Sequence, residues 1–145
     1  GEIAESFFQA VLEQARGAGL LSDEHFTVDG TLIEAWASHK SFRPKDEDGS
    51  GSGGGRASGR DFHGERRKND THASTTDPEA RLFRKGRGKE AKLCFMGHVI
   101  TENRNGLVVA TETTLATGTA EREASVKMMK RVKRSRRSTL GGDKN

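Results

Sequence analysis

The sequence predicts an α/β fold, a mixed sheet with helices on its faces, and three features predict it. Asn103-Arg104-Asn105-Gly106 is a turn signal between two apolar, β-branched runs, which reads as a hairpin. Ile3, Phe7, Phe8, Val11, Leu12 and Ala15 recur at helical spacing near the start. The chain then runs strand, insertion, hairpin, helix, strand, and a helical crossover after a hairpin places a further strand in the same sheet.

Taken in order, the first helix should stop at Gly17-Ala18-Gly19, with Leu20 and Leu21 packing down behind it. Phe26 to Thr31 alternates, with Phe26 and Val28 on one side and Thr27 and Asp29 on the other. Gly30 is expected as a turn or bulge that aims the aspartate. Leu32 to Ala37 suggests a short helix, with Trp36 as a core anchor in preference to a base-stacking residue.

From Ser41 to about Thr76 the composition changes. Pro44, the acids Asp46-Glu47-Asp48 and the Gly/Ser run at 49–55 describe a linker that cannot bury enough apolar surface to order itself. Thr76 to Leu82, with Pro78 near a first helical position, predicts one helical turn. Gly86-Arg87-Gly88-Lys89 is too short for a phosphate-binding loop and reads as a basic linker. Three segments result: 1–40, a helix and first strand; 41–91, a disordered Gly/Ser-rich insertion; and 92–145, which returns to the first domain.

In the last segment Leu93 to Thr101 and Leu107 to Thr114 are the hairpin strands. Thr119 with Glu121 and Glu123 marks a capped helix start, and Ala124, Met128 and Val132 form its apolar stripe. Ser138 to Asp143 is a final short strand.

Composition narrows the classes. Of 145 residues 31% are apolar and 32% charged, so the packed unit should be modest. Cys94 is the only cysteine, which excludes an intramolecular disulfide and a cysteine zinc site; a buried thiol is expected. No apolar run reaches the length of a membrane span, and Gly1-Glu2-Ile3 does not begin a secretory signal. A start without methionine is the expectation for a fragment.

Charge is uneven. Residues 1–39 carry one Arg against seven acids, whereas 120–145 carry nine Lys/Arg against three acids. The cluster Lys130, Arg131, Lys133, Arg134, Arg136 and Arg137 fits either a phosphate-binding patch or a solvated helix face with charge matched to the helix dipole. His25, His39, His63, His72 and His98 lack metal-ligand spacing, and surface or packing roles are expected of them.

Phe26-Thr27-Val28-Asp29-Gly30-Thr31-Leu32-Ile33-Glu34-Ala35-Trp36-Ala37-Ser38 resembles the segment around the first catalytic aspartate of DDE-type bacterial insertion-sequence transposases of the IS four/IS five-like group. Ser41 to Asp46, His72 to Arg81, Gly97 to Val109 and Thr139 to Lys144 also resemble that family, in its order. The resemblance implies a ribonuclease H-like sheet, incomplete here, with acids on its first and fourth strands. Asp29 and Asp143 match those two positions; the third acid, a glutamate on a later helix, would lie past Asn145.

It further implies Mg²⁺ (or Mn²⁺) as cofactor, double-stranded DNA at transposon ends as partner, room for a homo-oligomer, no membrane, and a place in the bacterial cytoplasm near the nucleoid. Cleavage and strand transfer by two metal ions about 4 Å apart need hard oxygen ligands, which carboxylates supply. With two of three acids, the chain is expected to bind metal poorly and not to transpose DNA by itself. A non-catalytic basic DNA-binding remnant of a transposon is the alternative.

Overall fold

The computed structural model describes residues 1–45 and 67–142. Helix α1 (Glu2–Gly17) carries Glu2 and Glu5 in its first turn and Arg16 in its last, each sign at the dipole end that favours it. It ends where the glycines predict, with Leu20 N–H returning to Ala15 O. The packed face is narrower than the periodicity suggests: Leu12 is buried and Phe8 half-buried, whereas Ile3, Phe7 and Val11 are exposed.

The strands are β1 (His25–Glu34), β2 (Phe42–Pro44), β3 (His72–Ser74), β4 (Arg81–Phe83), β5 (Lys92–Glu102), β6 (Val108–Leu115) and, after helix α2 (Ala120–Arg131), β7 (Thr139–Gly141). Five form one sheet in the order β4-β5-β1-β7, with β6 also pairing with β5. Strand β7 lies parallel to β1 in the register His25–Thr139, Phe26–Leu140, Thr27–Gly141. Bonds from Ala35 N–H to Leu93 O and from Asn103 N–H to His25 O flank the β1–β5 pairing and show it to be antiparallel. The mixed sheet with two helices is the α/β class that the sequence predicts.

The chain divides into two units, one of residues 1–31, 97–114 and 119–145, the other of 32–96 and 115–118. In the first, Phe26 and Val28 of β1, Ile100 of β5 and Ala110 of β6 pack against Ala124, Met128 and Met129 of α2, with Val132 partly buried beside them. Thr119 stands at the N-cap, as expected, although its side chain makes no capping bond. In the second unit, Phe42, Ala80 and Leu93 form a smaller core with Ala35, Ala37, Leu82 and Phe95. Cys94 is buried there; burial raises its thiol pKa, and Sγ donates to Arg81 O.

Several local expectations are corrected. Leu32 to Glu34 continue β1 instead of starting a helix, because Ala35 N–H is taken by Leu93 O and Lys92 pairs with Glu34 across the sheet. Pro78 sits in a turn closed by Ala80 N–H to Asp77 O, and Arg81 to Phe83 then pair with β5, so no helical turn forms there. Within the stretch expected to lack structure, Phe42–Pro44 and His72–Ser74 form a two-stranded antiparallel sheet. Phe42 stacks on His72, and Ser41 Oγ meets Ser74 Oγ at 2.8 Å in the interior. Residues 46–66, including the Gly/Ser run, lie outside the described residues.

The hairpin turn is fastened from beneath by Glu102, whose side chain is fully buried. Its Oε1 accepts from the N–H groups of Asn105 at 2.7 Å and Leu107 at 3.2 Å. Its Oε2 accepts from Arg104 at 3.1 Å and from Ser22, ahead of β1, at 3.2 Å. Gly106 takes a φ of 74° in this turn, the left-handed conformation that favours glycine. Burial alone would raise the Glu102 carboxyl, but the N–H groups of Leu107, Asn105, Ser22 and Arg104 outweigh it and hold the pKa below its ordinary value.

A depressed carboxyl contributes stability above the unfolded pKa of about 4.3, and that contribution is lost as pH falls through the lower folded value. Glu102→Gln offers a single acceptor oxygen in place of two and leaves buried N–H groups unmet, so it is expected to cost about 2–4 kcal/mol. Thermal unfolding from pH 7 to pH 3 checks both points: the parent should lose stability on acidification, and the variant should start lower and lose less.

Candidate functional site

Strand β1 has two faces with different chemistry. The side of Phe26 and Val28 is buried against α2, while His25, Thr27 and Asp29 are exposed on the other. On this open face His25 Nδ1 meets Thr139 Oγ1 at 2.7 Å and Thr27 Oγ1 donates to Asn103 Oδ1 at 2.9 Å. These two bonds tie β1 to β7 and to the hairpin turn that follows β5. Asp29 makes no hydrogen bond or ion pair among the described residues, so its carboxylate oxygens stand free in the middle of a strand pinned at its start.

Asp143 lies outside the described residues, which end at Gly142. Each β1 residue and its β7 partner differ by 114 in number, as do Asp29 and Asp143. Among the described residues no group of three His, Cys, Asp or Glu side chains is arranged to hold a metal ion.

Gly30 is neither turn nor bulge but lies inside β1, for a reason on the buried face. A Cβ at this position would stand 3.0 Å from Glu121 Oε2 and 3.4 Å from His98 Nδ1. Gly142 is similarly close-set, its Cβ position lying 3.0 Å from Val28 Cγ1 and 3.9 Å from Glu121 Oε1. The Glu121 carboxylate, from the first turn of α2, therefore sits beside both glycines.

Sequence reasoning missed this polar patch. His98 is buried, with Nε2 2.9 Å from Thr114 Oγ1, while Nδ1 has no partner among the described residues. Burial lowers the His98 pKa, against the opposing pull of Glu121 and Glu112. A signal was present: His98 and Glu102 share the inward parity of Ile100 in β5, and a glycine inside a strand marks close approach.

The basic cluster is largely engaged within its own unit. Arg131 and Lys127 pair with Glu112, Lys133 with Glu13, and Arg136 with Glu24, while Arg134 donates to Ser138 Oγ at 3.0 Å. The Lys127 hydrogen bond and Arg131 together hold the Glu112 carboxyl below its ordinary value, against burial. Lys130 and Arg137 are exposed and make no ion pair among the described residues. Helix α2 ends at Arg131, so Lys133 to Arg137 lie beyond it, and dipole matching accounts only for Lys130 and Arg131.

Trp36 is also corrected. It is 99% exposed and anchors no core.

Comparison of the chain with protein-family models, curated proteins and solved structures finds no match.

Because the Gly30 backbone is ordinary extended strand, the cost of a side chain there is purely one of space. Gly30→Ala should destabilise by about 1–3 kcal/mol, the range for overpacking a filled site. Glu121→Ala in the same chain should return part of that loss, which a thermodynamic cycle from denaturant melts would measure.

Proposed function

We propose that this chain is part of a DDE-type transposase, and that Asp29 and Asp143 act in Mg²⁺-dependent phosphodiester cleavage and strand transfer at insertion-sequence ends. The observation that carries this reading is the parallel β1–β7 register, whose offset of 114 equals the spacing of the two aspartates. Asp143 follows β7 in the sequence by two residues, and Asp29 follows its last paired β1 residue, Thr27, by two. The strand order β6-β5-β1-β7, with a helix leading from β6 to a strand parallel to β1, agrees with the ribonuclease H-like sheet that the resemblance implies.

The donor chemistry fits a hard cation. Asp29 offers carboxylate oxygens unclaimed by any cation among the described residues, and Mg²⁺ takes few protein oxygens and keeps several waters. When bound, the metal neutralises charge on the phosphate and favours ionisation of the attacking hydroxyl. Asp29 and Asp143 would hold it, while the His25–Thr139 and Thr27–Asn103 bonds fix the strand that carries Asp29. In the reaction a water or a 3′-hydroxyl attacks phosphorus, and the bond to the opposite bridging oxygen breaks.

A non-catalytic nucleic-acid-binding remnant is favoured by one observation. The described residues of the second unit carry eleven Lys/Arg against five Asp/Glu, which suits a polyanion whatever the carboxylates do.

Mn²⁺ titration followed by paramagnetic broadening of backbone amide signals separates the two. Weak binding with broadening centred on Asp29 and Asp143 is expected, and Asp29→Asn or Asp143→Asn should each weaken it at least about tenfold, since even outer-shell partners of a metal cost that much. Broadening scattered over the other acids, unchanged by either substitution, rejects the transposase reading and leaves the remnant.

A further inference from the structure

The exposed indole of Trp36 sits on a backbone that is firmly held. Ala35 and Ala37, on either side of it, both pack against the core of Phe42, Ala80 and Leu93, and Ala35 N–H is bonded to Leu93 O. With both neighbours facing inward, the side chain between them faces out. The chain then turns through a 3-10 segment, His39–Ser41, capped by Ser38, whose Oγ accepts from Lys40 N–H at 3.2 Å. Strand β2 follows, locked to β3. Because the backbone beneath it is already ordered, covering the ring costs side-chain freedom but little backbone freedom.

The charge around it selects the cover. From Ala35 to Lys45 there is no acidic residue, Glu34 standing just before in the sequence and Asp46-Glu47-Asp48 just after, and Lys40, Arg43 and Lys45 are all exposed and make no ion pair among the described residues. The contrast with the first unit is sharp, because its described residues balance ten Lys/Arg against ten Asp/Glu and its basic cluster is mostly paired internally. The net positive charge among the described residues thus belongs to the unit that presents the tryptophan. A flat π-face followed within nine residues by three exposed cations, none in an ion pair among the described residues, fits a base stacked on the ring with its flanking phosphates on the cations. A duplex keeps its base faces stacked inside, so the matching ligand is unpaired nucleic acid.

We infer that Trp36, with Lys40, Arg43 and Lys45, forms a binding site for single-stranded nucleic acid, Trp36 stacking on a base and the three cations holding the backbone. This deepens the DNA reading above and shares with it only the class of substrate. It needs neither aspartate and no metal.

Trp36 is the only tryptophan, and there is no tyrosine, so its emission reports on this site alone. The test is a titration of the whole chain with an oligothymidylate in EDTA, which keeps the result independent of the carboxylates. Quenching of the emission is expected, with affinity falling roughly tenfold to twentyfold between about 50 and about 200 mM salt if three phosphates are neutralised. With a labelled oligonucleotide read by anisotropy, Trp36→Ala should bind about tenfold more weakly and Trp36→Phe should keep most of the affinity. Lys40→Glu combined with Arg43→Glu should weaken binding further and flatten the salt dependence. Because the ring touches no core, Trp36→Ala should leave the melting temperature unchanged.

Four results would overturn the inference: Trp36→Ala binding as tightly as the parent; a duplex binding as well as the single strand without quenching; emission that shifts with protein concentration alone, which would mean that a second copy covers the ring; or a lowered melting temperature for Trp36→Ala.

Discussion

One buried carboxylate organises the first unit. Glu102 gathers four backbone N–H groups from two stretches of chain about eighty residues apart, the hairpin turn and the lead into β1. Neighbouring side chains repeat the connection, since Arg104 donates to the carbonyls of Gly19 and Leu21, and Asn105 to that of Leu20. A charge taken out of water is tolerated only when its lone pairs are filled, and here backbone amides fill them without a countercharge. The turn and the start of β1 are held together, and with them the level at which β1 meets β5. The register of β1 in turn decides that Asp29 faces outward while Gly30 faces the helix.

The two faces of β1 divide structure from chemistry. Its inner face moves from apolar to polar along its length: Phe26 and Val28 pack on methionines, and then Gly30 makes room for His98 and Glu121. Its outer face holds His25, Thr27 and Asp29, each exposed, the first bonded to β7 and the second to Asn103 in the hairpin turn. An aspartate is inexpensive to expose and costly to bury, so strand alternation gives it the open side once Phe26 and Val28 take the core.

Charge is divided just as clearly. The basic stretch after Lys127 looks like a polyanion site when read along the chain, yet folding returns Glu13, Glu24 and Glu112 to it from distant positions. Sequence distance hides such compensation, because ion pairs form between residues about 20 to 120 apart. The opposite holds around Trp36, where no distant acid is brought back to Lys40, Arg43 or Lys45 among the described residues.

Much of this was legible in the sequence itself. The hairpin, the two helices, the alternation that sets Asp29 opposite Phe26 and Val28, and the buried thiol all follow from periodicity and turn chemistry, which act over a few residues. Contacts between distant residues determined the rest. Leu32 to Glu34 could have entered a helix, and only pairing with β5 made them strand; Pro78 could have opened a helical turn, and only β4 joining β5 prevented it. Trp36 looked like core by composition, but its flanking alanines took the inward places. Gly30 looked like a turn until His98 and Glu121, about 70 and 90 residues further on, filled the space beside it. Local pattern determined which segments are regular and which face is apolar; tertiary packing alone decided which polar and aromatic groups remain free, because it brings the competing partners from elsewhere in the chain.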